Sequence, residues 1–89
     1  MKRIRILIEG RLQGANFRYH TQQQALKLGL AGFVRNLSDG RIEIDAQGDD
    51  DNIDKMLAWC QEGPQSGQIK SILFRYDELN ENASDFIVR

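Results

Sequence analysis

Residues 31–47 constrain the fold more tightly than any other stretch. From Arg41 to Gln47 the side chains alternate without a break, Ile42, Ile44 and Ala46 on one side against Arg41, Glu43, Asp45 and Gln47 on the other. That is the period of a strand with one apolar face. Ahead of it, Ser38-Asp39-Gly40 supplies a tight turn, because Asp-Gly tolerates the positive φ such turns need. Ala31-Gly32-Phe33-Val34-Arg35-Asn36 reads as the partner strand. A lone hairpin is marginal in water, so the rest of the chain must cover its apolar face.

The flanking segments have the patterns to do so. Ile4, Ile6 and Ile8 alternate with Arg3, Arg5 and Glu9, a first half-buried strand. Phe17, Thr21, Ala25 and Leu28 recur at helical spacing, and Gly29-Leu30 is a helix stop in which glycine takes the left-handed cap and leucine packs back. After the hairpin, Gly48-Asp49-Asp50-Asp51 leads into a second helix whose acids are expected to cap its free N–H groups and suit its dipole. Ile53, Met56, Leu57 and Cys60 form its apolar stripe, and Gly63-Pro64 ends it. Residues 65–68 read as a loop. Ile69 to Tyr76 reads as a strand whose apolar positions change parity after Ile69, the mark of a bulge. Phe86 to Arg89 reads as a short terminal strand.

The order β-α-β-β-α-β is that of a ferredoxin-like split βαβ sandwich, with two helices on one face of a four- to five-stranded, mainly antiparallel sheet. Residues 1–89 are expected to form a single domain. In this topology the first two strands run the same way with the third between them. The segment after the first strand and Asn36, at the end of the second, then meet at one edge about two strand spacings apart, roughly 10 Å.

Chemistry gathers at that edge. Gly10-Arg11-Leu12-Gln13-Gly14-Ala15-Asn16-Phe17-Arg18 joins a strand to a helix, and amides at a helix N-terminus beside an arginine fork can cradle an anion. Arg18 either grips a phosphate through two parallel bonds or is a solvated first-turn arginine. Asn36 either holds a water in line for attack or caps its own turn. His20 reads as a helix-surface residue, Trp59 as packing, and Cys60 as buried and inert. No metal-ligand cluster, carboxylate pair or nucleophile–base pair is legible.

Charge supports a local anion site. Residues 1–41 hold eight Lys/Arg and two Asp/Glu, whereas residues 42–89 hold four and eleven, although a compact fold interleaves the halves. The single cysteine excludes an internal disulfide, so a reducing, cytoplasmic compartment is expected. No apolar run reaches the ~20 residues that span a bilayer, and the basic start lacks a signal-peptide core. No membrane partner is expected. Nucleic acid is not expected either, because Ile4 to Ile8 and Arg41 to Gln47 offer no aromatic for base stacking and the net charge is −1.

These residues resemble a known family. Gly10-Arg11-Leu12-Gln13-Gly14-x-x-Phe17-Arg18-Tyr19-x-Thr21-Gln22, followed by Ala25-x-x-Leu28-Gly29-Leu30-x-Gly32-Phe33-Val34-Arg35-Asn36-x-x-Asp39-Gly40, looks like the acylphosphatase signature, with both motifs at their usual separation. The resemblance implies hydrolysis of a small-molecule acyl phosphate to a carboxylate and inorganic phosphate, with no metal or organic cofactor; a monomer is expected. It assigns phosphate binding to Arg18 and the amides of Gln13, Gly14, Ala15, Asn16 and Phe17, and water orientation to Asn36. The family reads Gly-Val-Gly where this chain has Gly14-Ala15-Asn16; asparagine is among the residues that best tolerate a left-handed backbone. The family's Ala-Arg-Val is replaced near Ser66-Gly67-Gln68-Ile69, so an arginine is missing there. The alternative reading is a non-catalytic phosphate-binding accessory module of the same fold.

Overall fold

The computed structural model describes residues 1–12, 14–63 and 66–89. Its elements are β1 (Lys2–Gly10), α1 (Gly14–Lys27), β2 (Ala31–Asn36), β3 (Ile42–Gly48), α2 (Asp50–Glu62), a 3-10 turn (Ser66–Gln68), β4 (Ile69–Asp77) and β5 (Phe86–Val88). The strands form one sheet in the order β4-β1-β3-β2-β5. Every pairing is antiparallel except β2 with β5. The two helices pack on one face of this mixed sheet, the ferredoxin-like arrangement expected from the element order.

The core lies between helices and sheet because the alternating strands present it there. Ile4, Ile6 and Ile8 of β1 and Ile42, Ile44 and Ala46 of β3 are buried, together with Val34 and Phe86. From the helices come Phe17, Thr21 and Ala25 and then Ile53, Met56 and Cys60. Phe17 stacks on Trp59 with ring centroids 5.9 Å apart, tying α1 to α2. At the end of α1, Gly29 takes φ +68°. The Leu30 N–H donates to the Ala25 carbonyl at 2.9 Å, the closure that the Gly-Leu pair predicts.

Four local features differ from or refine the expectations. Segment 66–68 is a 3-10 turn, not a plain loop. Asp49 stands at the N-cap of α2 without a side-chain capping bond, while Asp50 and Asp51 occupy the first turn. Their contribution there is charge against the dipole. The bulge falls at Lys70: Glu9 opposes Ser71 and Gly10 opposes Ile69, so Lys70 is the extra residue.

The fourth concerns the polar side of β3. Glu43 and Asp45 are each only 5% exposed, because β3 is central and arginines flank it on the helix-free face. Arg3 forks onto Asp45 at 2.9 and 2.6 Å. Arg5 and Arg35 converge on the two oxygens of Glu43 at 2.8 and 2.7 Å. Burial works against the Glu43 charge, but the two guanidiniums outweigh it and hold the carboxyl below its ordinary range.

Candidate functional site

The site begins where β1 ends. At Gly10 an added Cβ would stand 2.8 Å from Ile69 Cα and 3.2 Å from the Gln68 carbonyl carbon, so a side chain there would drive β1 away from the 3-10 turn. The Arg11 N–H donates to the Gln68 carbonyl at 2.9 Å, fixing the direction in which the chain leaves the sheet. Gln13, assigned to phosphate binding by resemblance, lies outside the described residues.

Helix α1 begins at Gly14. The amides of Gly14, Ala15, Asn16 and Phe17 therefore belong to its first turn, where N–H groups have no acceptor within the helix. No acid occupies that turn, unlike the first turn of α2, so its own sequence does not fill the positive end of the dipole. Asn16 is exposed. No described non-glycine residue has positive φ, so the tolerance of asparagine for a left-handed backbone is not called upon. The Phe17 side chain goes to the core, and Thr21 Oγ1 donates back to the Phe17 carbonyl at 2.8 Å.

Arg18 is half-buried. Its Nη1 donates to the Arg89 carbonyl at 2.8 Å, 71 residues away in the chain, and its Nε is buried without a partner among the described residues. The Arg89 N–H donates to the Val34 carbonyl at 2.9 Å, and the Arg89 guanidinium lies 4.1 Å above the Phe33 ring. The terminal segment thus links Arg18 to β2, two residues before Asn36. Nothing in the sequence pattern signals Arg89 or Phe33 as partners of the site. The link depends on β5 lying parallel beside β2, a placement that periodicity alone leaves undetermined.

Asn36 is exposed at the end of β2. It pairs with Ile42, which pairs in turn with Ile8, so it stands two strands from the exit of β1. A cavity of about 280 Å³ opens there, lined by Ile8, Gly10, Leu12, Asn36, Leu37, Ser38, Gly40 and Ile42. The structure therefore brings the start of the 10–18 segment and Asn36 to one hollow. Arg18 does not line it and sits instead at the β2–β5 side.

The remaining candidates lie elsewhere. His20 is exposed on α1 against Tyr19, 5.7 Å between ring centroids. Burial pushes the Cys60 thiol up to about 12. Among the described residues no group of three His, Cys, Asp or Glu side chains could hold a metal ion. No described helix is long and apolar enough to cross a membrane.

The likeness to known proteins runs over the whole chain. The acylphosphatase family profile matches residues 4–88. An acylphosphatase of Methylococcus capsulatus is 40% identical over 88 residues, which cover 99% of this chain and 96% of that protein. The crystal structure of acylphosphatase from Bacillus subtilis superposes with a TM-score of 0.89 at 34% identity, covering 100% of this chain and 99% of that one. A full-length HypF crystallised in a phosphate- and nucleotide-bound form superposes with a TM-score of 0.87 at 30% identity, covering 99% of this chain but 12% of that one. On sequence and on fold, the chain belongs to the acylphosphatase family.

Proposed function

We propose that this chain hydrolyses an acyl phosphate to a carboxylate and inorganic phosphate, with Arg18 and the first-turn amides of α1 holding the phosphate and Asn36 orienting the water. The observation that carries this reading is the buried Nε of Arg18, which has no partner among the described residues. A buried N–H without an acceptor is costly and uncommon. With Nη1 committed to the Arg89 carbonyl, the Nε–Nη2 edge remains, the same edge by which Arg3 forks onto Asp45. A phosphate takes the place of that carboxylate, gripped by two parallel charge-assisted bonds.

The chemistry asks little of the protein beyond placement. An acyl phosphate already carries a good leaving group, and phosphoryl transfer is served by positioning and by stabilising charge on the equatorial oxygens. Arg18 and the amides supply that charge. The Asn36 amide, exposed at a strand end beside the cavity, can hold a water by one acceptor and two donors. His20 and Cys60 are poorly placed to act as general base, the first exposed on the helix surface and the second buried. The proton of the water passes to a substrate oxygen.

Release of phosphate from acetyl phosphate, undiminished by EDTA, tests the reaction. Arg18→Ala and Asn36→Ala are each expected to lower turnover on the order of 10²-fold. Near-normal rates in both variants would refute the site. A second reading is a phosphate-binding module without turnover, favoured by the match to a small part of HypF. Phosphate binding in an NMR titration, with no hydrolysis by the pure protein, would select it.

A further inference from the structure

We infer that Gln22 is a positioning residue for the proposed reaction: by holding the edge strand β5 against α1, it aims the Arg18 guanidinium. The inference rests on the phosphatase reading and adds to it a side chain that touches neither the phosphate nor the water.

Arg18 does not set its own direction. Its Nη1 donates to the Arg89 carbonyl, so the edge left for an oxyanion turns with that carbonyl. Arg89 follows a strand of only three residues, Phe86–Val88, at the margin of the sheet. Backbone bonds close the side of that strand toward β2. The Gly32 N–H donates to the Asp85 carbonyl at 2.7 Å, and the Arg89 N–H donates to the Val34 carbonyl at 2.9 Å. Asp85 and Arg89 therefore face β2, and by alternation both backbone groups of Phe86 face away from it, where the sheet ends.

Side chains take both of those groups. The Phe86 N–H donates to Asp85 Oδ1 at 2.8 Å, and Gln22 Nε2 donates to the Phe86 carbonyl at 3.0 Å, across 64 residues of chain. Gln22 is half-buried and comes four residues after Arg18, one turn along the same face of α1. The two side chains grip β5 at both ends, Gln22 at its first residue and Arg18 just past its last. The buried Phe86 ring keeps β5 on the core, but apolar contact has no preferred direction. A hydrogen bond weakens steeply off line, so Gln22 fixes how β5 is turned against α1 and hence where the Arg89 carbonyl lies. Misplacement of a reacting group by about 1 Å can cost on the order of 10²-fold in rate, so a loosened β5 is read in turnover before it is read in stability.

Gln22→Met keeps the length and helix preference of the side chain and removes its donor. It is expected to lower kcat/KM for acetyl phosphate about 10-fold in the wild-type chain. In Arg18→Ala it is expected to cost less than about 2-fold, because Gln22 acts through Arg18. Gln23→Met, at the exposed neighbouring position, keeps the wild-type rate. Equal losses in the two backgrounds, or a wild-type rate for Gln22→Met, overturn the inference. NMR of the Arg18 guanidinium in the ligand-free protein decides the same point without turnover. In the wild type the bond to Arg89 restrains rotation and keeps the two Nη signals apart, and in Gln22→Met they merge. Signals alike in both proteins overturn the inference. A wild type that hydrolyses no acetyl phosphate, but loses the separation in Gln22→Met, refutes the phosphatase reading alone.

Discussion

Replacing Gly32 by alanine is expected to be the most damaging single-methyl change in the molecule. Gly32 sits in β2 with φ +143°, a region that only glycine occupies comfortably. A Cβ built there would fall directly on the Asp45 carbonyl oxygen, 2.7 Å from the Asp45 carbonyl carbon and 3.1 Å from Ala46 Cα. All of these are backbone atoms of the central strand, so no rotamer change relieves the overlap. Either β2 peels from β3 or the register slips, and register is what sets Asn36 opposite Ile42. The backbone conformation costs about 1–3 kcal/mol, and each buried ladder group left unpaired adds about 1–3 kcal/mol. A total near 4–6 kcal/mol follows, against the ~5–15 kcal/mol that holds a domain together.

Urea unfolding measures this directly. With an m-value near 2 kcal/mol per M, a loss of about 4 kcal/mol moves the midpoint down by about 2 M. Gly29→Ala is the control. Gly29 also has positive φ, at +68°, but a Cβ there meets nothing within 4 Å, so its cost is the conformational ~1–2 kcal/mol alone. If the two variants shift the midpoint equally, backbone overlap at Asp45 is not what makes Gly32 necessary. If Gly32→Ala folds with wild-type stability, the β2–β3 approach described here is wrong.

Three further outcomes follow from the polar face, the core and the site. The Glu43 carboxyl titrates below its ordinary value of 4.5, so its contribution to stability is full above that value and is lost as pH falls through the depressed one. Urea midpoints should therefore fall between about pH 5 and pH 3, with a shallower slope in Glu43→Gln, which is less stable at neutral pH by on the order of 2 kcal/mol. A slope unchanged by Glu43→Gln would remove Glu43 from the acid response. Burial raises the Cys60 thiol to about 12, so iodoacetamide should label it only as fast as the protein opens; prompt labelling of the folded chain would contradict its burial. Arg89→Pro removes the N–H that bonds the Val34 carbonyl and should lower kcat several-fold through misplacement of Arg18, an effect checked by steady-state kinetics. Arg89→Ala keeps both backbone bonds and should leave kcat near wild type, and equal losses in the two would assign the effect to the Arg89 side chain.

Element order, strand periods and both helix faces were legible because each depends on neighbours a few residues apart. The β4 bulge was legible for the same reason, as a parity change after Ile69. Asn36 meeting the exit of β1 followed from topology alone. The partners of Arg18 did not, because the Arg89 carbonyl reaches it through the parallel β2–β5 pairing and no local pattern records which edge a three-residue strand joins. Nor did alternation reveal that Glu43 and Asp45 are buried. Alternation reports the side of the sheet, whereas burial on that side depends on which strands flank β3 and what their side chains carry. The surplus of acid in residues 42–89 was visible, but its destination was not.

That destination changes the meaning of the basic surplus in residues 1–41. Arg3, Arg5 and Arg35 balance Glu43 and Asp45 across the helix-free face, and Arg41 balances Asp39 in the hairpin turn. These cations are structural and offer an anionic ligand little. Lys27 lies in the last turn of α1, at the end of the dipole that attracts cations. What remains of that half around the first turn of α1 is Arg11, exposed beside the exit of β1, and Arg18, half-buried at the β2–β5 side with an Nε that has no partner among the described residues. Half-chain charge therefore points to the proposed site for a reason that composition cannot supply. The ion pairs of the sheet cancel most of it, and the two arginines left over stand on either side of the start of α1 in the chain.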